Sequence, residues 1–273
     1  MNTKRNNKIR RKIAGAVYGF AIGDSMGATT EFMTKEEIKM QYGIVDEIIG
    51  GGWLNLNPGD VTDDTQMTLC VMNALMNGKE LFRENCINNF IEWLKSCPKD
   101  IGGQCLKGIT YYIENNVPIP IDKNALGNGS LMRALPCALL NTPVLNVLQG
   151  MLTHNNITCS RIILEYTGLI QNLLYNDSFI YDDVKHLLEP TGCVINTFNN
   201  ALYWSNTNSF EKAIIGAVNH GGDADTIAAI TGSIAGAKLG IEYIPKRWID
   251  ELNQDIKKDL EKFIKFTFSY LQI

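Results

Sequence analysis

The chain of 273 residues is 45% hydrophobic and 20% charged, with 24 glycines and 8 prolines. This composition is typical of a globular protein and excludes a disordered or collagen-like chain, and no segment offers the ~18 consecutive apolar residues of a membrane helix. The net charge is −4, but six of the 25 basic residues stand between Lys4 and Lys12, so the remaining 19 face 29 acidic residues. An acidic body of this kind excludes a nucleic-acid groove and could hold divalent cations.

The basic N-terminal residues precede the apolar run IAGAVYGFAI, a pattern that resembles the start of a secretory signal peptide. The run is short, however, and Asp24 follows it at once. The same residues fit an amphipathic helix over positions 9–22, because apolar side chains recur there every three or four positions. We therefore interpret residues 1–8 as a basic arm and residues 9–273 as one domain.

Helical spacing of apolar residues continues along most of the chain. A loop from Gly23 to about Asn57 should contain a short helix at 35–42, and a strong helix should follow Thr62 and end at Asn77-Gly78. Further helices are predicted over residues 82–96, 104–115, 130–140, 144–154, 159–175, 181–188, 194–205, 210–219, 224–238 and 248–270. Strand signals occur only at 45–49 and 117–121. The predicted fold class is all-α, a compact single-domain helical bundle.

The seven cysteines include no C-x-x-C pair, which argues against a zinc ribbon or a thioredoxin-like redox motif. Unpaired cysteines in apolar stretches fit a reducing compartment, so the expected location is the cytoplasm. In the helix predicted at 224–238, Gly232 and Gly236 are four residues apart and allow tight packing against a neighbouring helix.

Two acidic clusters are the strongest chemical signals in the sequence. One is GDVTDDTQ at 59–66 and the other is NHGGDADT at 219–226, and each stands at the start of a predicted helix. Helix capping accounts for one Asp or Thr at such a position, but not for paired carboxylates that recur twice. The glycines of the second cluster also let the backbone approach another group closely.

Carboxylates that converge in a fold repel one another unless cations lie between them. Oxygen ligands without cysteine or clustered histidine favour Mg²⁺, Mn²⁺ or Ca²⁺ over zinc. Two other motifs fit poorly. The D-D-x-x-D pattern of all-α diphosphate enzymes lacks its last Asp, and Asp223-Ala224-Asp225 leads into a helix rather than following the buried strand of phosphoaspartyl phosphatases.

Several segments together resemble the ADP-ribosylglycohydrolase family, and they follow the family's order over nearly the whole chain. The segments are GAVYGFAIGDSMGATTEF (15–32), PGDVTDDTQM (58–67), DIGGQ (100–104), GNGSLMRALP (127–136), TH (153–154) and NHGGDADTIAAITGSIAGAKLG (219–240). The resemblance implies a compact all-α fold, in agreement with the helical periodicity. It also implies that residues 15–31 lie inside the domain and are not part of a signal peptide.

The resemblance implies a role for each matching residue. Two divalent cations, Mg²⁺ or Mn²⁺, would be held by Thr62, Asp63, Asp64, Asp223, Asp225 and Thr226. Catalysis would involve Glu31, Asp100 and Asp64, with the proton transfers handled by Glu31 or Asp100. Substrate binding would involve Asp24, Gly102, Gly127, Asn128, Gly129, Ser130, Met132 and His154, of which the 127–132 loop wraps the diphosphate and ribose.

The implied function is a metal-dependent hydrolase that removes ADP-ribose from an acceptor, with arginine as the first choice because of Asp100. The partners would be ADP-ribose and an ADP-ribosylated protein or small molecule, without nucleic acid or membrane, and the chain would be a monomer. One alternative is a catalytically inactive ADP-ribose-binding or structural relative, although all six candidate metal ligands are retained. Another is a hydrolase of a small ADP-ribosylated molecule.

Two further points concern residues beside these motifs. Aromatic residues that could stack on adenine are Tyr111, Tyr112, Tyr203 and Trp204, but core packing is the commoner role of such side chains. Arg133 belongs to the 127–136 segment and could pair with an acidic neighbour.

Overall fold

The computed structural model describes residues 2–177 and 184–273, which form α-helices joined by turns and loops. In this part of the chain thirteen α-helices follow one another: α1 (Asn2–Gly27), α2 (Lys35–Gln41), α3 (Asp63–Met76), α4 (Phe82–Lys95), α5 (Gly103–Asn115), α6 (Leu135–Leu139), α7 (Pro143–Met151), α8 (Ile157–Asn176), α9 (Val194–Ser205), α10 (Phe210–Val218), α11 (Ala224–Leu239), α12 (Lys246–Glu251) and α13 (Gln254–Tyr270). Short 3₁₀ turns lie at Asn128–Ser130 and Ile241–Tyr243.

Helices α1 and α11 form the centre of the bundle and pack antiparallel against each other. Glycines recur every fourth residue on α1, and the backbone of α11 lies directly against them. A methyl group at Gly19 would lie 2.3 Å from the Gly232 carbonyl oxygen, and one at Gly23 would lie 2.0 Å from that of Ala228. Such distances leave no room for a side chain, so glycine is what allows the two backbones to touch. The tight packing predicted from Gly232 and Gly236 is confirmed.

The other helices surround this pair and bury nearly all of α11 from Ala224 to Ala237. Residues on every side of the second half of α1 are also buried. A helix enclosed on all sides has no apolar stripe, which corrects the predicted amphipathic helix at 9–22. Among the described helices, none combines the length and the apolar character needed to cross a membrane.

Helix α1 is also longer than predicted at both ends. It begins at Asn2, so residues 2–8 of the predicted arm continue the helix. Lys8 and Lys12 both bind Asp177, which follows α8, at 2.5 and 2.6 Å. At its other end α1 extends to Gly27, so that Asp24 lies in the helix and not in the predicted loop.

Several other predicted elements differ from the structure for local reasons. The helix predicted at 130–140 is reduced to a 3₁₀ turn and α6, with Pro136 in the first turn of α6. The helix predicted at 144–154 ends at Met151, which leaves His154 in a loop. The predicted helix 248–270 divides into α12 and α13, because the Asn253 side chain accepts a hydrogen bond from Asp255 N and caps a new helix.

No β-strand is present in the described residues, so the strands predicted at 45–49 and 117–121 are wrong. Two isolated β-bridges join Gly51 to Leu56 and Gly127 to Cys193. Of the helix predicted at 181–188, residues 181–183 lie outside the described residues. The described residues 184–188 are not helical.

The α1–α11 contact makes a specific prediction for stability. Gly23→Ala should destabilise the fold by about 1–3 kcal/mol or more, because its methyl group would overlap the backbone of α11. Gly168→Ala is the matched control, since Gly168 is an exposed glycine in α8 with no atom near its missing methyl group. That variant should gain up to about 1 kcal/mol of helix propensity. Urea unfolding would measure both, and a neutral Gly23→Ala variant would contradict the packing argument.

Candidate active site and metal centre

The candidate site lies where the C-terminal end of α1 meets the N-terminal ends of α3 and α11. A cavity of about 250 Å³ opens there. Its walls are formed by Glu31, Phe32, Asp63, Asp64, Asp100, Gly102, Gly103, Gln104, Cys105, Gly127, Asn128, Gly129, Met132, His154, Gly192, Asp223, Asp225 and Thr226. The two acidic clusters of the sequence therefore meet in one place, as the sequence suggested.

The start of α3 is fixed by Asp24, which is fully buried at the end of α1. The Asp24 carboxylate accepts hydrogen bonds from Thr62 N at 3.1 Å, from Thr62 Oγ1 at 2.8 Å and from Thr65 N at 3.0 Å. Thr62 in turn caps α3, since its hydroxyl oxygen accepts a hydrogen bond from Asp64 N. Asp24 thus supports the first turn of α3, which carries Asp63 and Asp64.

The start of α11 is held by backbone contacts that only glycine permits. Gly221 and Gly222 have φ values of +77° and +65°. A methyl group on Gly222 would lie 2.0 Å from the Pro190 carbonyl oxygen. Phe32 N donates to Gly222 O at 2.7 Å, and Asp223 N donates to Pro190 O at 2.8 Å. These bonds tie the segment after α1 to the acidic turn before α11.

Glu31 joins the acidic residues of α11 across this junction. Carboxylate oxygens of Glu31, Asp223 and Asp225 all lie within 4.8 Å of one another. The Trp53 indole nitrogen donates a hydrogen bond to Glu31 Oε2 at 2.6 Å. Burial, together with the negative charges of Asp100 and Asp223, raises the pKa of Glu31 to about 8 despite this bond.

The other carboxyls of the cavity are likewise buried close to one another, which destabilises their charged forms. Burial, together with the other carboxylates, raises the pKa values of Asp63, Asp64 and Asp225 well above the ordinary range. A hydrogen bond between the carboxyls of Asp63 and Asp100 also raises the pKa of Asp63. Burial raises the pKa of Asp223 to about 6, while its hydrogen bond with Asn128 acts in the opposite direction. Charged carboxylates at this density need compensating positive charge.

Divalent cations fit the donor set that the cavity presents. Asp64 Oδ2 and Asp225 Oδ1 are buried and have no hydrogen-bond partner in the described structure. Unpartnered buried carboxylate oxygens are costly, and a hard cation would satisfy them. Thr62 and Thr226 add hydroxyl oxygens beside Asp64, the Thr226 hydroxyl at 3.3 Å from Asp64 Oδ1. The residues present can therefore hold a metal ion.

A glycine-containing loop also lines the cavity. Asn128 N donates to Gly192 O at 2.9 Å, and the Asn128 side chain donates to Thr197 Oγ1 at 3.0 Å and to Asp223. Gly127 and Gly129 lie against the imidazole of His154. The loop is thus joined both to the acidic cluster and to the end of α7.

Most of the predicted site residues line this cavity. The exceptions are Asp24 and Thr62, which lie beneath the acidic cluster, and Ser130, which is fully buried. None of the aromatic residues suggested for adenine lines the cavity: Tyr111 borders a separate surface depression, and Trp204 packs against Gly216 and His220.

Sequence reasoning gave no role to Phe32, Trp53, Cys105 and Gly192. Phe32 and Trp53 are exposed aromatics whose ring centroids lie 5.4 Å apart. Phe32 directly follows Glu31, so its position beside an acidic candidate was an available signal. Trp53 and Gly192 reach the site from distant loops, and no local pattern marks them.

The fold and the site define an all-α protein whose cavity is lined by a buried carboxylate cluster and a glycine-containing loop. The sequence matches the ADP-ribosylglycohydrolase family over residues 5–191 and 169–271, and the chain belongs to this family. It is 34% identical over 277 residues to an ADP-ribosyl-[dinitrogen reductase] glycohydrolase from Rhodospirillum rubrum, with 93% of this chain and 94% of the relative covered. It is 30% identical over 290 residues to the ADP-ribosylarginine hydrolase Tri1 from Serratia proteamaculans (strain 568), with 89% and 75% covered.

A solved structure described as an ADP-ribosylglycohydrolase-related protein complex has the same fold. The TM-score is 0.84 at 24% identity, and the superposition covers 97% of this chain and 99% of the other. Together these matches confirm the predicted family, the all-α fold and the assignment as a hydrolase of glycosyl bonds to ADP-ribose.

The raised carboxyl pKa values predict how the stability of the metal-free protein depends on pH. The pKa values are about 8 for Glu31 and about 6 for Asp223 in the folded protein, and about 4 in an unfolded chain. The folded state therefore binds more protons than the unfolded state between about pH 4 and pH 8. The free energy of unfolding should therefore fall as pH rises from about 4 to 8. Denaturation in EDTA at several pH values would measure this decline.

Added Mn²⁺ or Mg²⁺ should restore stability, and more so at pH 8 than at pH 5, because protons and cations compete for the same oxygens. Asp64→Asn should weaken the decline with pH. Asp250→Asn, which alters an exposed ion pair with Lys246, should leave it unchanged. A metal-free protein equally stable at pH 5 and pH 8 would refute the electrostatic description of the cluster.

Proposed function

We propose that the chain is a hydrolase that uses two divalent cations, Mg²⁺ or Mn²⁺, to release ADP-ribose from ADP-ribosylated arginine. The observation that carries this proposal is that both acidic clusters meet at one cavity. Glu31, Asp100 and the 127–132 loop line the same cavity. Carboxylates suit cations and a developing positive charge. A glycine-containing loop in the same cavity suits the phosphates of ADP-ribose.

Six residues would hold the cations: Thr62, Asp63, Asp64, Asp223, Asp225 and Thr226. Such ions can chelate ribose hydroxyls and lower the pKa of a bound water. The burial and mutual repulsion of the carboxyls support this assignment, because bound cations would offset both. Asp24 and Asn128 would keep the two acidic turns in register, through Thr62 and Asp223 respectively.

Glu31 and Asp100 are the proposed proton-transferring groups. Cleavage at the anomeric carbon passes through an oxocarbenium-like state that a nearby carboxylate stabilises, and it requires a proton for the leaving group. Glu31 borders the cavity, and in the metal-free protein burial and the neighbouring carboxylates raise its pKa to about 8. Asp100 also borders the cavity beside Asp63, and burial raises its pKa.

Arginine is the proposed acceptor for two reasons. Asp100 is only partly buried at the edge of the cavity, where a carboxylate would attract a guanidinium group. In addition, the similar protein from Serratia proteamaculans is an ADP-ribosylarginine hydrolase. We further propose that the enzyme works as a monomer in the cytoplasm, where its seven free cysteines would stay reduced.

The test is release of ADP-ribose from model substrates with added Mg²⁺ or Mn²⁺. ADP-ribosylated arginine should be hydrolysed, and ADP-ribosylated serine and small ADP-ribosylated molecules should react more slowly. Asp64→Asn should reduce kcat by on the order of 1000-fold, since metal ions contribute several kcal/mol to such reactions. Asp250→Asn is the matched surface control and should keep full activity.

Each contrary outcome has a defined meaning. Faster hydrolysis of serine-linked or small-molecule substrates would replace the arginine assignment. Tight binding of ADP-ribose in calorimetry, without release from any substrate, would show a non-catalytic binder. Full activity of Asp64→Asn would exclude the proposed metal site.

The Trp53 hydrogen bond predicts a second kinetic effect. Trp53→Phe removes the donor to Glu31 and keeps an aromatic ring beside Phe32, so kcat should fall about 10-fold while ADP-ribose affinity is retained. In a Glu31→Gln background the same substitution should have little further effect, because coupled residues are not additive. Trp93→Phe, which loses an indole bond to Gln66 of similar length at 2.7 Å, is the control. Equal losses in both backgrounds would show that Trp53 acts independently of Glu31.

A further inference from the structure

Arg133 is fully buried below the 127–132 loop, and all of its hydrogen-bond partners in the described structure are neutral. Its guanidinium donates to Gln149 Oε1 at 2.7 Å, to Gln149 O at 2.9 Å and to Gly129 O at 2.6 Å. A further bond reaches Thr153 Oγ1 at 2.7 Å, and the Phe90 ring covers the group at 4.7 Å. The acidic partner considered for Arg133 is therefore absent from its described surroundings.

The bond to Thr153 has only one possible direction. A guanidinium donates and never accepts, so the Thr153 oxygen must be the acceptor. The single hydroxyl hydrogen of Thr153 is then free to donate elsewhere. His154 Nδ1 lies 2.8 Å from the same oxygen. The Cys105 sulfur is also close to this hydroxyl, but a thiol sulfur is a much weaker acceptor than an imidazole nitrogen.

These hydrogen-bond directions determine which ring nitrogen of His154 carries the proton. If Nδ1 accepts the Thr153 hydrogen, the proton of the neutral ring must be on Nε2. Burial and the charge of Arg133 lower the pKa of His154 to about 3, which keeps the ring neutral at physiological pH. The series of hydrogen bonds from Arg133 through Thr153 to His154 therefore ends in an Nε2–H group.

His154 Nε2 lies at the wall of the cavity. A methyl group on Gly127 would approach this nitrogen to 2.9 Å and one on Gly129 to 3.3 Å, and both glycines line the cavity together with His154. No protein group in residues 2–177 and 184–273 accepts a hydrogen bond from Nε2. The donor is thus available to a molecule held by the glycine-containing loop.

We propose that Arg133 and Thr153 are positioning residues that hold His154 as an Nε2–H donor to a phosphate oxygen of ADP-ribose. The inference rests on the proposed function, because that function supplies the ligand. Phosphate oxygens only accept hydrogen bonds at neutral pH, so the Nδ1–H tautomer would present a lone pair to them and repel them. Fixing the tautomer before the ligand arrives avoids that mismatch.

The first measurement needs no ligand. Long-range ¹H–¹⁵N NMR distinguishes the two neutral imidazole tautomers, and the chain has only three histidines, so His154→Asn would assign the signals. The wild-type protein should show the Nε2–H tautomer at His154. Thr153→Ser keeps the hydroxyl and should retain it, whereas Thr153→Val, of similar shape, should convert much of the ring to the Nδ1–H form.

The second measurement is calorimetric titration with ADP-ribose. Thr153→Ser should bind within about twofold of wild type, while Thr153→Val should bind about 10-fold more weakly or worse, since hydrogen bonds to charged groups are the stronger kind. Thermal unfolding of both variants would show whether the loss of affinity is caused by unfolding. The NMR measurement is the second control, because a merely structural role of Thr153 would leave the tautomer unchanged.

Two results would overturn the inference: an Nδ1–H tautomer in the wild-type protein, or a Thr153→Val variant with unchanged tautomer and affinity. Failure of the wild-type protein to bind ADP-ribose would instead count against the proposed function. In that case the NMR result would still decide whether Arg133 and Thr153 set the tautomer.

Discussion

The backbone contact between α1 and α11 is the constraint on which the site depends. Glycines on α1 let the two helices approach until the carbonyl groups of α11 touch the α1 backbone. At the end of this contact, a methyl group on Gly27 would lie 2.5 Å from the Asp225 Cα. The residues that follow α1, including Glu31, are thereby brought to the first turn of α11. A larger residue in the interface would separate the helices and pull the carboxylates apart.

The same geometry creates the electrostatic cost of the site. Helix N-termini favour negative charge, and both α3 and α11 place carboxylates in their first turns. Burial removes the solvent that would otherwise screen them, so the pKa values rise and the metal-free protein retains protons on these carboxyls. Stability lost to this crowding is a common feature of functional sites. With the proposed cations bound, folding, protonation and metal binding would be parts of one equilibrium.

The sequence predicted local features well, because they arise from neighbouring residues. The acidic turns at 59–66 and 219–226 are both at helix starts, as their capping pattern indicated. Errors arose where tertiary packing decides the outcome. The first turns of helix α1 are polar and mostly exposed and its second half is enclosed on all sides, so apolar periodicity did not show its true length. The end of one helix and the start of the next at Asn253 depend on a single cap, and the short α6 depends on a single proline. Apolar periodicity does not detect either feature.

The positions of Trp53 and Gly192 could not have been predicted from local sequence, since each reaches the site through long-range pairing. Gly50 accepts a hydrogen bond from Thr29, and the Gly51–Leu56 bridge closes the turn that presents Trp53 to Glu31. Gly192 is placed by the bond from Asn128 and the neighbouring Gly127–Cys193 bridge. The same limit applies to Arg133, because two of its partners, Gln149 on α7 and Thr153 in the loop after α7, are distant in the sequence.

The neutral surroundings of Arg133 suit the proposed function, in which one cavity holds both cations and phosphates. A buried arginine paired with Asp63 or Asp64 would cancel a charge that the metal site needs and would leave the loop without a cation below it. Amide, carbonyl and hydroxyl partners satisfy the guanidinium donors instead, without neutralising the group. Its positive charge therefore remains beneath Gly129 and beside His154, where an anionic ligand benefits from it. The acidic cluster and the loop above Arg133 therefore remain chemically distinct parts of one cavity.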